Sequence, residues 1–150
     1  MSTLRLSLRL PASPKAPGAA RRALDGLELY IGDDLCHTIK LLVSELVTNS
    51  VRHGALAERD MIEVSVASSG GSVRVEVLDP GPGFDPNDHR VSLDGDEGIG
   101  WGLYLTDHLT RRWGVSTTEQ TRVWFETAAP PTPRMDTERR HGSAATGLDG

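Results

Sequence analysis

From Leu4 to Leu10 leucine occupies every second position, with Arg5, Ser7 and Arg9 between. A period of two predicts a half-buried β-strand, and Pro11, which cannot donate to a ladder, ends it. The spacing then changes. Ala19, Ala20, Ala23, Leu24 and Leu27 recur at three and four residues within Pro14 to Leu27, which predicts a short helix with Arg21 and Arg22 outward. Gly32 interrupts the chain, and Asp33 or Asp34 is the expected N-cap of a longer helix, because a short carboxylate accepts from free first-turn N–H groups. Leu35, Ile39, Leu42 or Val43, Leu46 and Val51 carry an apolar stripe to about Arg52, and Gly54 suits the left-handed position that closes a helix.

Alternation returns in Ile62, Val64 and Val66 and again in Val73, Val75 and Val77, with the hairpin turn Ser68-Ser-Gly-Gly-Ser72 between them. From Asp79 to Gly98 neither period survives, so a long loop is expected there. Leu103, Leu105 and Leu109 resume helical spacing over Ile99 to Arg112, with Gly114 as the expected stop. Val115 to Glu119 and Thr121 to Thr127 read as a last hairpin, with Val123 and Phe125 facing one way and Trp124 the other. After Ala129 come Pro130, Pro131 and Pro133 and then almost no apolar residue. Such a segment cannot offset the entropy of ordering itself. The organisation expected is therefore one domain over residues 1–129 and a disordered C-terminal tail over 130–150. Strand, helix, helix, two strands, loop, helix, two strands is the order of an α+β two-layer sandwich, a mostly antiparallel, mixed sheet with helices on one face.

Composition narrows the function classes. A chain of 150 residues can bury a sizeable core without disulfides, and Cys36, the single cysteine, permits neither an intramolecular disulfide nor a multi-cysteine zinc site. Cys36 reads as a small core residue. The net charge of -5 opposes nucleic-acid binding, which draws its affinity from a basic face. No apolar run approaches the ~20 residues that span a bilayer, and the N-terminus alternates instead of forming a signal-peptide core. A cytoplasmic protein with neither direct nucleic-acid nor membrane contacts is expected.

Three polar or glycine-rich clusters could carry chemistry. Glu45, Asn49 and His53 lie four apart on the long helix and project from one face beside the apolar stripe. Such a row is either a solvated face or a hard-cation site, since Mg2+ needs few protein ligands when substrate phosphates and waters complete its octahedron. The second cluster is Asp79-Pro-Gly81-Pro-Gly83, where counting by twos from Val73 puts Asp79 on the side of the buried valines. Turn chemistry explains the Pro and Gly, while a buried acceptor facing an exocyclic amine would explain the Asp. The third is Gly98-Ile-Gly100-Trp-Gly102, where glycines and a helix start allow a phosphate to approach the backbone. Its spacing fits neither the dinucleotide fingerprint nor the phosphate loop ending in Lys-Ser/Thr.

Taken together, the clusters resemble the Bergerat-fold (GHKL) ATPases. Glu45-x-x-x-Asn49 resembles the N box, Asp79-x-Gly81-x-Gly83 the first glycine box and Gly98-x-Gly100-x-Gly102 the second, with Thr121 ahead of the terminal strand. Glu45 through Gly54, together with Trp113-Gly114-Val115 ahead of Thr121 through Glu126, is most similar to the anti-sigma factor serine/threonine kinases. The resemblance implies ATP and Mg2+ as cofactors, with Asn49 as the Mg2+ ligand and Asp79 accepting from the adenine amino group. It implies that Gly81 and Gly83 shape the adenine pocket, that Gly98, Gly100 and Gly102 admit the phosphates, and that Thr121 backs the adenine. Glu45 would be the general base on a protein serine hydroxyl. The implied partners are an anti-sigma-factor antagonist, a sigma factor or both, and members of the group often form homodimers. The alternative is a non-catalytic ATP-binding module that regulates a partner by sequestration.

Overall fold

The structure is a computed structural model and describes residues 4–53, 55–69, 71–82 and 105–128. Strand β1 (Arg5–Pro11) leads to α1 (Ala16–Ala23), the single turn α2 (Glu28–Ile31) and the 21-residue α3 (Asp33–His53). Strands β2 (Met61–Ser69) and β3 (Ser72–Asp79) follow, then helical residues 105–109, β4 (Arg112–Ser116) and β5 (Thr121–Ala128). The five strands lie in the order β1-β2-β3-β5-β4, and all four pairings are antiparallel. The α+β sandwich holds, with no parallel pair among the described residues. Because β5 lies inside β4, the C-terminal end of β3 meets the start of β5, and Asp79 is the register partner of Thr121.

Alternation seats the sheet against the helices. Ile62, Val64, Val66, Val73, Val75, Val77, Val123 and Phe125 all point inward and are buried, and α3 covers them with Ile39, Leu42, Val43, Leu46 and Val47. Each such side chain contributes about 1.5–3 kcal/mol on leaving water, so apolar burial holds the layers together. Between strand residues the ion pairs lie on the other face of the sheet. There Arg74 and Arg112 bracket Glu126 at 2.9 and 2.6 Å, Arg122 reaches Glu76 at 3.4 Å, and the Arg74 guanidinium sits 4.3 Å over the Trp124 ring.

Several local expectations are corrected. The single helix read over Pro14 to Leu27 is two, because Gly26 at φ +96° takes a left-handed conformation that turns the chain before α2, although Leu24 and Leu27 are buried as the stripe required. Neither Asp33 nor Asp34 caps α3. The Gly32 carbonyl accepts the Cys36 N–H at 3.1 Å, so the helix opens on Gly32, and both acids lie in its first turn, where they complement the positive helix end. The last helix does not run on to Arg112, which already belongs to β4. It ends at residue 109, Leu109 is exposed, and the Arg111 N–H already pairs with the Glu126 carbonyl at 2.9 Å. Gly114 is a strand residue opposite Trp124, and a Cβ there would stand 2.7 Å from the indole nitrogen. Its glycine makes room for the ring. The expected loop beyond Pro82, the start of the last helix, Gly54 and the tail over 130–150 lie outside the described residues.

Candidate functional site

The site is built where the C-terminal third of α3 crosses the facing ends of β3 and β5. Leu46 and Val47 are fully in the core, and one turn further on the same inward face carries Asn49 and Ser50, 7% and 8% exposed. A buried stripe that changes from apolar to polar along one helix costs free energy unless its groups find partners. Ser50 has one: its hydroxyl donates to Asp79 Oδ2 at 2.6 Å.

Asp79 ends the inward row of β3 that begins with Val73, and it is 4% exposed. Its other oxygen, Oδ1, accepts the Gly81 N–H at 2.8 Å. Across the strand pair the Thr121 hydroxyl, also buried, donates to the Gly81 carbonyl at 3.1 Å. Both sides of Gly81 are thus fixed, its N–H by Asp79 and its carbonyl by Thr121. An ionised carboxylate offers about four acceptor positions, and these contacts occupy two, so Asp79 retains acceptor capacity for an external donor.

Asn49 is different. Its Oδ1 and Nδ2 are both buried and have no hydrogen-bond partner among the described residues. Leaving such atoms unsatisfied costs about 1–3 kcal/mol, so a folded chain that keeps them presents them to something else. One amide oxygen without a competing donor fits Mg2+, which takes one or two protein oxygens and completes its shell with phosphates and water. Among the described residues there is no group of three or more His, Cys, Asp or Glu that could hold a metal ion. Glu45, one turn before Asn49 on α3, is partly exposed.

Glu45, Asn49, Asp79, Gly81 and Thr121 therefore all have places in the structure, and Asp79, Gly81 and Thr121 form one hydrogen-bonded unit. Gly83, Gly98, Gly100 and Gly102 lie outside the described residues. Ser50, hydrogen-bonded to Asp79, is a residue of this cluster that the sequence reading did not single out. The signal was present: Ser50 follows Leu46 and Val47 by four and three positions, which places it on the buried stripe.

The model of the histidine kinase-like ATPase domain family matches residues 10–127, and the chain belongs to that family. Within it, the chain resembles serine-protein kinases. It is 33% identical over 119 residues to the serine-protein kinase RsbW of Bacillus licheniformis, covering 69% of this chain and 73% of that protein. It is likewise 33% identical over 84 residues to the RsbW of Listeria monocytogenes, over 54% of each. Among solved structures, the histidine kinase domain of the Erythrobacter litoralis EL346 blue-light activated histidine kinase superposes with a TM-score of 0.51 at 18% identity. That match covers 80% of this chain and 62% of the kinase chain, and it establishes a shared fold. Among the described residues no helix is long and apolar enough to cross a membrane.

Proposed function

We propose that this chain is an ATP-dependent protein serine/threonine kinase of the anti-sigma regulatory type, acting in the cytoplasm on an anti-sigma-factor antagonist. The observation that carries the reading is the buried amide of Asn49, without a hydrogen-bond partner among the described residues, beside the Asp79, Gly81 and Thr121 unit. In this reading Asp79 accepts from the adenine amino group, Thr121 and Gly81 back the ring, and Asn49 faces the phosphates. Gly83 completes the adenine side, and Gly98, Gly100 and Gly102 bring backbone N–H groups to the phosphates.

Asn49 Oδ1 would hold Mg2+, which when bound would supply charge neutralisation at the phosphates. Transfer forms a bond from the substrate serine oxygen to the γ-phosphorus and breaks the bond from that phosphorus to the bridging oxygen, leaving ADP. The serine proton goes to the Glu45 carboxylate. Positioning does most of the work in phosphoryl transfer, and a general base adds about 10²- to 10⁴-fold. The similarity to two serine-protein kinases supports transfer over a purely sequestering role.

The test is incubation with Mg-ATP labelled at the γ-phosphate and purified candidate antagonist proteins. Label on an antagonist serine is the expected result. Binding of ATP without label on any antagonist would return the chain to sequestration.

A further inference from the structure

Ser50 is buried on α3 next to Asn49, and its hydroxyl donates to a carboxylate on another element, Asp79 Oδ2 at 2.6 Å, 29 residues away in sequence. A carboxylate at a strand end can turn about its side-chain torsions. Here it cannot do so freely, because Oδ1 is held by the Gly81 N–H at 2.8 Å and Oδ2 by the Ser50 hydroxyl. Two donors from opposite sides, one on the loop after β3 and one on α3, define the plane of the carboxylate. The lone pairs they leave open then point in fixed directions.

We propose that Ser50 is a positioning residue for base selection: by holding Asp79 Oδ2, it aims the carboxylate so that an exocyclic purine amine is accepted in one geometry. The proposal rests on the nucleotide reading above and deepens it. Ser50 need not touch the nucleotide. It also ties the two halves of the site together, since Asn49, which faces the phosphates in that reading, and Ser50, which orients the base acceptor, are consecutive residues of one rigid helix.

The consequence is a selectivity that depends on the amine. Purine riboside triphosphate has the ring, sugar and phosphates of ATP but no exocyclic amine, so it gains nothing from a well-aimed Asp79. Calorimetry with Mg-ATP and with this analogue is run on the full chain for the wild type, Ser50→Ala and Ser50→Cys. The wild type is expected to prefer ATP. Ser50→Ala is expected to lose about tenfold for ATP, the scale of one hydrogen bond to a charged group, while its affinity for the analogue stays near that of the wild type. Ser50→Cys, a weaker donor of similar shape, should fall between them and supplies the readout if the alanine variant does not fold.

Equal losses for both nucleotides in the folded variants overturn the proposal, because they mean that Ser50 only supports the packing. A wild type that binds both equally overturns the role of Asp79 toward the amine, and the Ser50 proposal with it. A wild type that binds neither overturns the nucleotide reading itself.

Discussion

Asp79 and Thr121 are register partners on β3 and β5, and they grip the same residue from opposite sides: Asp79 accepts the Gly81 N–H while Thr121 donates to the Gly81 carbonyl. The strand order β3-β5-β4 makes this possible, because it brings the last residue of β3 opposite the first of β5. The chain leaving β3 is therefore pinned where a base is proposed to bind, and the helix covering it contributes Ser50 and Asn49.

The buried Oδ1 and Nδ2 of Asn49 have no hydrogen-bond partner among the described residues. Replacing Asn49 with Ala should leave the melting stability of the free protein within about 1 kcal/mol of wild type, since it removes buried polar atoms that have no partner among the described residues. The same substitution should abolish the nucleotide-induced shift, which for wild type at 100 times Kd amounts to about 2.7 kcal/mol. Thermal melts with and without Mg-ATP check both halves. A large loss of stability without nucleotide would show that Asn49 has structural partners.

Gly114 and Trp124 should be coupled energetically. A methyl at Gly114 would stand 2.7 Å from the indole, so Gly114→Ala should cost about 1–3 kcal/mol by forcing the ring off the strand and away from Arg74. In a Trp124→Leu background the cost should shrink. Urea melts of the double-mutant cycle measure the difference.

The outer-face ion pairs predict a specific acid response. Hydrogen bonds from Arg112 and then Arg74 hold the Glu126 carboxyl below its ordinary value of 4.5. A depressed folded value means that the contribution is present above about pH 4.5 and is lost as pH falls through the folded value. Glu126→Gln should therefore flatten the fall in stability below that pH and change little in the slope near neutrality. Melting temperatures across an acid series test the sign, and an unchanged acid slope in the variant would contradict it.

Cys36 should be chemically silent in the folded chain. It is 3% exposed, and burial pushes its thiol above the ordinary value, so little of the reactive thiolate forms. A thiol reagent at pH 8 should react only as fast as the protein unfolds, and denaturant should release one reactive group. Rapid labelling of the native protein would refute this.

The legible parts of the molecule were those governed by strict periods. Alternation located β1, β2, β3 and β5, put Val123 and Phe125 on the core side of Trp124, and carried the count from Val73 to a buried Asp79, whereas β4 lies at Arg112–Ser116 and not over the expected Val115 to Glu119. Helical spacing located α3 and its inward face. Local chain breaks were harder, since Leu24 and Leu27 remain in phase across Gly26 and only the left-handed backbone of that glycine divides the helix. Gly114 was misread for a related reason. A glycine after a helix resembles a stop, whereas here it clears space for a side chain on the neighbouring strand, a relation that depends on the register Gly114 to Trp124. The Ser50 contact depends on how α3 lies across the sheet, so periodicity could place the serine inward but could not name its partner.

The central claim, that Asn49 and Asp79 bind the nucleotide while Glu45 performs the transfer, is tested most directly by separating the two on one variant. For Glu45→Ala, Mg-ATP affinity by calorimetry is predicted to stay near that of the wild type, while label transfer to the antagonist serine falls by about 10²- to 10⁴-fold. Transfer at the wild-type rate by Glu45→Ala, or a wild type that does not bind Mg-ATP, would contradict the account.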